Sequence, residues 1–154
     1  MQTFLPYKDF VKTAQCLDYR RLGKQRVEAT QIYKIVSGER TTGGWINHPA
    51  VLMWKGYVDA LAFYQNIMIK EWIQRGYKNN MELLEWQSSF DLPPIVGDTD
   101  FHRSHQSNLL RKDAEFYSQY KWNVTDDLPY IWSVDESSRT IQTDSRDSND
   151  RHTE

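Results

Sequence analysis

The sequence predicts an all-α fold, a single compact helical bundle, and three observations carry that prediction. Apolar residues recur at three- or four-residue spacing over long stretches; no run of Val, Ile and Thr alternates with polar residues over a strand's length; and no segment repeats another. With 154 residues, 39% of them hydrophobic and 14% aromatic, the chain can bury a core of its own.

Each element follows in order. The opening MQTFLPYKDF is extended or irregular around Pro6, and a helix is expected from Val11 or Ala14 to Val36, stopped by Ser37 and Gly38. After the turn-rich GERTTGGWINHPA, Asn47 is the expected cap of a long second helix with Pro49 in its first turn. Ala50, Trp54, Tyr57, Leu61, Tyr64, Met68 and Trp72 form its apolar stripe, which reads as core, and Gly76 ends it. MELLEWQSSF is expected to be a short helix stopped by Pro93 and Pro94. FHRSHQSNLLR and KDAEFYSQY give two further helices, with Ser104 or Asp100 as cap, before an aromatic closing segment, YKWNVTDDLPYIW.

Charge divides the chain. Residues 135–154 hold six acidic and three basic residues with Ile141 as their one aliphatic side chain, too little to repay ordering by burial, so this stretch reads as a disordered acidic tail beyond a helical domain of residues 1–134. Removing its −3 from the net −2 leaves the body at +1, so a nucleic-acid site must be local rather than a broad basic surface. Cys16, alone of its kind, excludes a disulfide framework and reads as a small buried residue. With no signal-like or membrane-length apolar run, a soluble, cytoplasmic protein without a membrane partner is expected.

The stretch LDYRRLGKQRVEA poses a burial problem. Asp18, Arg21, Gln25, Glu28, Ile32 and Ile35 share one helical face whose C-terminal half is aliphatic, so polar side chains enter the same interior. Burying charge is costly unless it pairs. Either Arg21 pairs internally with Asp18 or Glu28, or these residues line a pocket open to a ligand. Arg20, Lys24 and Gln31 or Lys34 lie on a neighbouring, solvated face, where Gly23 would let a phosphate approach closely. A second cluster, FHRSHQSNLLRKD, gathers His102, Arg103, His105, Arg111 and Lys112, suited to phosphate oxygens. Two histidines three apart would hold a metal only if Glu28 or Asp100 joined them, so no metal or other cofactor is expected. His48 reads as a helix-start residue that can also belong to the pocket.

YRRLGKQR, WINHPAVLMWKGYVDALAFYQNIMIKEWIQRGY and HRSHQSNLLRKD, in that order, resemble the pyrimidine-dimer DNA glycosylase superfamily, that of phage endonuclease V. The strings LD-x-RRLGKQRVE, NHPAV-x-MW-x-GY and FHRSH-x-SNLLRKD are most similar to a bacterial and viral branch of it, over about residues 1–132. The resemblance implies a compact α-helical protein that binds kinked duplex DNA, flips a base and cleaves its glycosidic bond. A free N-terminal amine attacks the sugar C1′ to form an imine, and elimination then breaks the strand. An α-amino group, with an ordinary pKa near 8, suits that attack better than a lysine does. A nearby carboxylate would stabilise the cationic sugar and move protons. Arg20 stands at the arginine of the family's Tyr-Arg pair, Lys24 or Arg26 near its next basic residue, and Arg111 and Lys112 near later phosphate-binding ones.

Two positions depart from the family pattern. Arg21 stands where its catalytic glutamate follows Tyr-Arg, and Gln2 intervenes between Met1 and Thr3, where the family's threonine becomes the N-terminus. Glu28, two turns along, can restore a carboxylate, and the Met1 amine can serve in place of the threonine's. The expected activity is thus a DNA glycosylase and AP lyase acting on a damaged or modified base in duplex DNA, with no obligate protein partner. Glu28 is the acid/base, Met1 or Thr3 supplies the amine, and His102 or His105 assists. Arg20, Arg21, Lys24, Gln25, Arg26, His48, Arg103, Arg111 and Lys112 are the expected binding residues. Two alternatives stay open: a non-catalytic nucleic-acid-binding module on the same fold, and an enzyme acting on a small nucleotide.

Overall fold

The computed structural model of the protein describes residues 1–132 and the backbone of Ile141 and Gln142. The stretch 135–154, expected to be a disordered tail, otherwise lies outside the described residues. The fold is helical, and the described residues form two compact units: one of Gln2 with Asp9–Pro93, the other of Met1, Thr3–Lys8 and the described residues from Pro94 on.

In the first unit, the expected opening helix is two. Helix α1 (Phe10–Cys16) starts at Asp9, whose side chain accepts from the Lys12 amide, and helix α2 (Tyr19–Val36) starts at Asp18, which accepts from the Arg21 amide. Leu17 and Asp18 are both extended, and an extended capping residue cannot continue the preceding helix. Asp18 was expected on a continuous helical face; it is instead where that face begins.

The second expected helix is also divided. Helix α3 (Pro49–Leu52) is capped by His48, not Asn47: the ring Nδ1 of His48 accepts from the Ala50 amide at 3.0 Å. Gly56, at φ +86°, then turns the chain into helix α4 (Val58–Gln74), a conformation that only glycine adopts without strain. The stripe still serves as core. Ala50, Trp54, Leu61, Tyr64 and Met68 are fully buried, while Tyr57 and Trp72 at its margins are half-buried. Helix α4 packs against α2 and α1, and Phe10 lies edge-on to Trp54 and Tyr64.

MELLEWQSSF forms no helix. Its backbone is satisfied by side chains of α4 instead: Asn66 donates through Nδ2 to the Leu84 carbonyl at 2.7 Å and accepts from the Leu84 amide at 2.8 Å, as a neighbouring strand would. Gln65 donates to the Glu82 carbonyl at 3.4 Å, and Trp86 and Phe90 pack on Phe63. Long-range amide pairing of this kind outweighs local helix propensity, which is why periodicity misreads the segment.

In the second unit, helix α5 (Thr99–Lys112) is capped by Asp98, whose carboxylate accepts from the Phe101 amide at 3.1 Å; the expected caps Ser104 and Asp100 both lie inside the helix. Asp113 ends α5 and caps helix α6 (Ala114–Tyr117), which tightens into a 3-10 turn over Ser118–Tyr120. Tyr117, Tyr120 and Trp122 stack beside it. Two short strands, β1 (Tyr130–Ile131) and β2 (Ile141–Gln142), pair antiparallel, with Tyr130 opposite Gln142. A strand of two residues is too short to show alternation in the sequence.

Replacing Asn66 by alanine removes both bonds to Leu84. We expect a loss of about 1–3 kcal/mol in urea denaturation, together with faster proteolysis within residues 79–93 while α4 itself stays protected.

Candidate active site

The polar face of α2 enters the interior as its spacing predicts. Arg21, Gln25 and Glu28 are buried, and Glu28 is 8% exposed. Arg21 pairs with Asp18 through Nη1 at 3.2 Å, the internal pairing that the sequence allowed. Glu28 is held differently. Its Oε2 accepts from the backbone amide of Gln2 at 3.1 Å and from Gln25 Nε2 at 3.3 Å, and Lys24 Nζ lies 3.8 Å from its Oε1.

Gln25 organises this cluster. Its amide nitrogen also donates to the Gln2 carbonyl at 3.0 Å, and its oxygen accepts from the Tyr64 hydroxyl at 2.7 Å. Gln2 therefore meets α2 through both its amide and its carbonyl. Burial, with Glu28 and Cys16 adding to it, pushes the Tyr64 phenol well above its ordinary value, so the hydroxyl keeps the proton that it donates. Burial likewise pushes the Cys16 thiol up to about 12, which makes it a packing residue rather than a nucleophile. Gln2 and Tyr64 are the members of this cluster that sequence reasoning did not single out: Gln2 was seen only as a departure, and Tyr64 only as core.

The remaining candidates of this unit lie elsewhere. Arg20 is exposed, and its Nε donates to the Tyr19 hydroxyl at 3.1 Å. Arg26 lies over the Trp72 ring at 4.2 Å and donates to Asn79 at 2.8 Å. Gly23 gives close approach to the Trp72 indole, not to an open phosphate site; a Cβ there would stand 2.9 Å from a ring carbon. His48 serves as the cap of α3. A cavity of about 230 Å³ between Ile35, Val36, Val51 and Leu52 has Arg40 and Lys55 in its lining and none of the candidate residues.

In the other unit, His102 and His105 take hold of a single residue. Leu5 donates its amide to His105 Nδ1 at 2.9 Å, and its carbonyl accepts from His102 Nδ1 at 2.7 Å. His102 Nε2 accepts in turn from the Gly97 amide at 2.9 Å. Both ring nitrogens of His102 are thus committed to backbone groups. His105 is fully buried between Phe4, Phe101 and Tyr130, and its Nε2 meets no hydrogen-bond partner among the described residues. Burial pushes both histidines below their ordinary value, His105 furthest. Arg103 donates to the Asn123 carbonyl at 3.0 Å and Arg111 to the Asp126 carbonyl at 3.2 Å; Lys112 lies in the last turn of α5. Met1 and Thr3 are buried, and the Thr3 nitrogen lies within the chain. Among the described residues no group of three His, Cys, Asp or Glu side chains is placed to hold a metal ion, and no helix is long and apolar enough to cross a membrane.

The family model described as pyrimidine dimer DNA glycosylase matches residues 1–85, which include the whole Gln2, Gln25, Glu28 and Tyr64 cluster. The chain belongs to that family. Glycosylase-type activity on damaged DNA is the function that membership brings, and the helical fold agrees with it. No curated protein and no solved structure matches the chain.

The neutral histidines give a pH dependence with a definite sign. Their folded-state values lie below the ordinary 6.5, so the unfolded chain takes up protons first as pH falls. Stability is complete above about pH 6.5 and declines below it. Denaturation followed from pH 7.5 to 5 checks this, and a His105→Asn variant should show the shallower slope.

Proposed function

We propose that the protein is a DNA glycosylase that flips a damaged or modified base out of the duplex and breaks its glycosidic bond, with Glu28 as the acid/base. One observation carries the reading: the Glu28 carboxylate is bonded to the amide nitrogen of Gln2, the residue that directly follows Met1. An α-amine and a carboxylate are the two groups that imine-forming base excision needs.

In the proposed reaction the Met1 amine attacks the sugar C1′. The C1′–N bond to the base breaks, the base leaves with its electron pair, and Glu28 takes the proton that the amine sheds. Opening of the sugar ring gives the imine. Loss of a C2′ proton then expels the 3′ phosphate by elimination, which is the AP-lyase step. Gln25 and Tyr64 keep the carboxylate in place, while Arg20, Lys24, Arg103, Arg111 and Lys112 are assigned to backbone phosphates. The two histidines fall to holding Leu5, since their ring nitrogens offer His102 no free position and His105 no exposed one. Arg21, tied to Asp18, is an internal cation in this reading.

A non-catalytic DNA-binding module is the second reading, and Arg21 in place of the family's glutamate favours it. Borohydride separates the two. Incubated with duplexes bearing an abasic site or a pyrimidine dimer, the enzyme should be trapped covalently, and acetylation of the N-terminus should abolish trapping. Glu28→Gln should lower turnover by about 10²–10⁴-fold with a near-native denaturation midpoint. Salt-dependent duplex binding with no trapping on either substrate decides for the binding module.

A further inference from the structure

The cavity of about 230 Å³ lies at the C-terminal end of α2, about two helical turns beyond Glu28. Val36, Ile46, Val51 and Leu52 give it apolar walls. Arg40, Lys55 and Asn47 supply most of its polar lining, and no carboxylate belongs to it. An apolar cavity of about 150 Å³ admits a benzene ring, so this one has room for a ring or short chain together with a charged head. Half of the Leu52 side chain already faces solvent, at 47% exposure, which leaves apolar surface for a ligand to cover.

Backbone groups hold Arg40 in place. Gly38, at φ +86°, reverses the chain after α2, and the Arg40 amide then donates to the Lys34 carbonyl at 2.7 Å. The Arg40 Nε donates to the Thr42 carbonyl at 3.2 Å, and its Nη2 lies where a Cβ on Gly43 would stand only 3.1 Å away. The guanidinium is thus fixed by one nitrogen, and its two Nη groups meet no hydrogen-bond partner among the described residues. Neither Arg40 nor Lys55 has an ion-pair partner among them. The carbonyls of Tyr33, Lys34 and Ile35 in the last turn of α2 are taken by the amides of Ser37, Arg40 and Gly38, so they do not occupy the cations. A pair of Nη groups is the fork that grips a carboxylate in two bonds. A bare inorganic anion would gain nothing from the apolar walls, whereas a carboxylate with a hydrocarbon body uses walls and cations together.

We propose that this cavity binds a small monocarboxylate with an apolar body, its carboxylate on Arg40 and Lys55 and its hydrocarbon on Val36, Ile46, Val51 and Leu52. The site does not depend on the chemistry proposed at Glu28. A ligand there bridges the end of α2 and α3, and by mass action it stabilises the unit that contains them.

The test titrates the full chain with octanoate and follows the backbone amides by NMR. Acetate, which has the charge without the chain, 1-octanol, which has the chain without the charge, and inorganic phosphate are titrated beside it. Octanoate should give saturable shifts centred on residues 35–55, and acetate should bind at least about tenfold more weakly. Loss of the charge in 1-octanol, Arg40→Gln and Lys55→Gln should each weaken binding by about 3- to 10-fold. Leu52→Asn, which removes one apolar wall, should weaken octanoate by a similar factor and leave acetate unchanged. All three substituted side chains are exposed, so each variant should keep a near-native denaturation midpoint without octanoate, and octanoate should raise the midpoint of the parent most. The assignment is overturned if octanoate gives no saturable shift at these residues, or if both cation variants bind it as the parent does. It is equally overturned if inorganic phosphate or 1-octanol binds as tightly as octanoate, or if an undamaged duplex displaces octanoate and so claims the two cations for DNA phosphates.

Discussion

A carboxylate inside a protein must have its lone pairs occupied, and the first unit is built around that demand at Glu28. Its Oε2 receives two N–H groups, one from the backbone of Gln2 and one from Gln25. The second is available only because the Gln25 amide oxygen is itself taken by the Tyr64 hydroxyl, which fixes which way round the amide sits. Tyr64 can do this because α4 buries it completely. A core residue of α4 thereby sets the donor that a polar residue of α2 presents to the start of the chain. Fold and site are one hydrogen-bonded object here, and the usual opposition between an apolar core and a polar site does not describe it.

The same demand explains why α2 begins where it does. Asp18 ends the extended link after α1, opens α2 by accepting from the Arg21 amide, and pairs with the Arg21 side chain. An arginine buried in the first turn of a helix meets an unfavourable dipole as well as a desolvation cost, and an aspartate at the cap opposes both. Arg21 is accommodated by its own helix terminus. Glu28 is held jointly by the opening of the chain, through Gln2, and by Gln25 and Lys24 of its own helix.

Much of this was legible in the sequence. The inward polar face of α2 and the core stripe of α4 follow from spacing, and the family strings point to the helix that carries the candidate site. What the sequence hid shares one cause: side chains that act as backbone. Asn66 pairs with Leu84 as a strand would, the His48 ring caps a helix, and His102 and His105 close on Leu5. Periodicity counts side chains as buried or exposed and has no signal for an imidazole or amide that stands in for a peptide group. The two histidines therefore read as chemistry, and MELLEWQSSF read as helix. Gly23 was misread in a related way, since a missing Cβ signals close approach without saying what approaches.

The ring of His102 has a mechanical consequence. Its Nδ1 holds the Leu5 carbonyl while its Nε2 holds the Gly97 amide, so one small rigid plane joins the opening segment of the chain to the loop that precedes α5. A rigid plane has no means of yielding at one edge only. Turning the ring about its bond to Cβ removes its fit to both groups in the same motion, whereas a proton added at Nε2 takes away only the acceptor of the Gly97 amide. Rotation of this one ring therefore couples the two places: the Leu5 carbonyl and the Gly97 amide lose their partner together, while the Leu5 amide stays on His105.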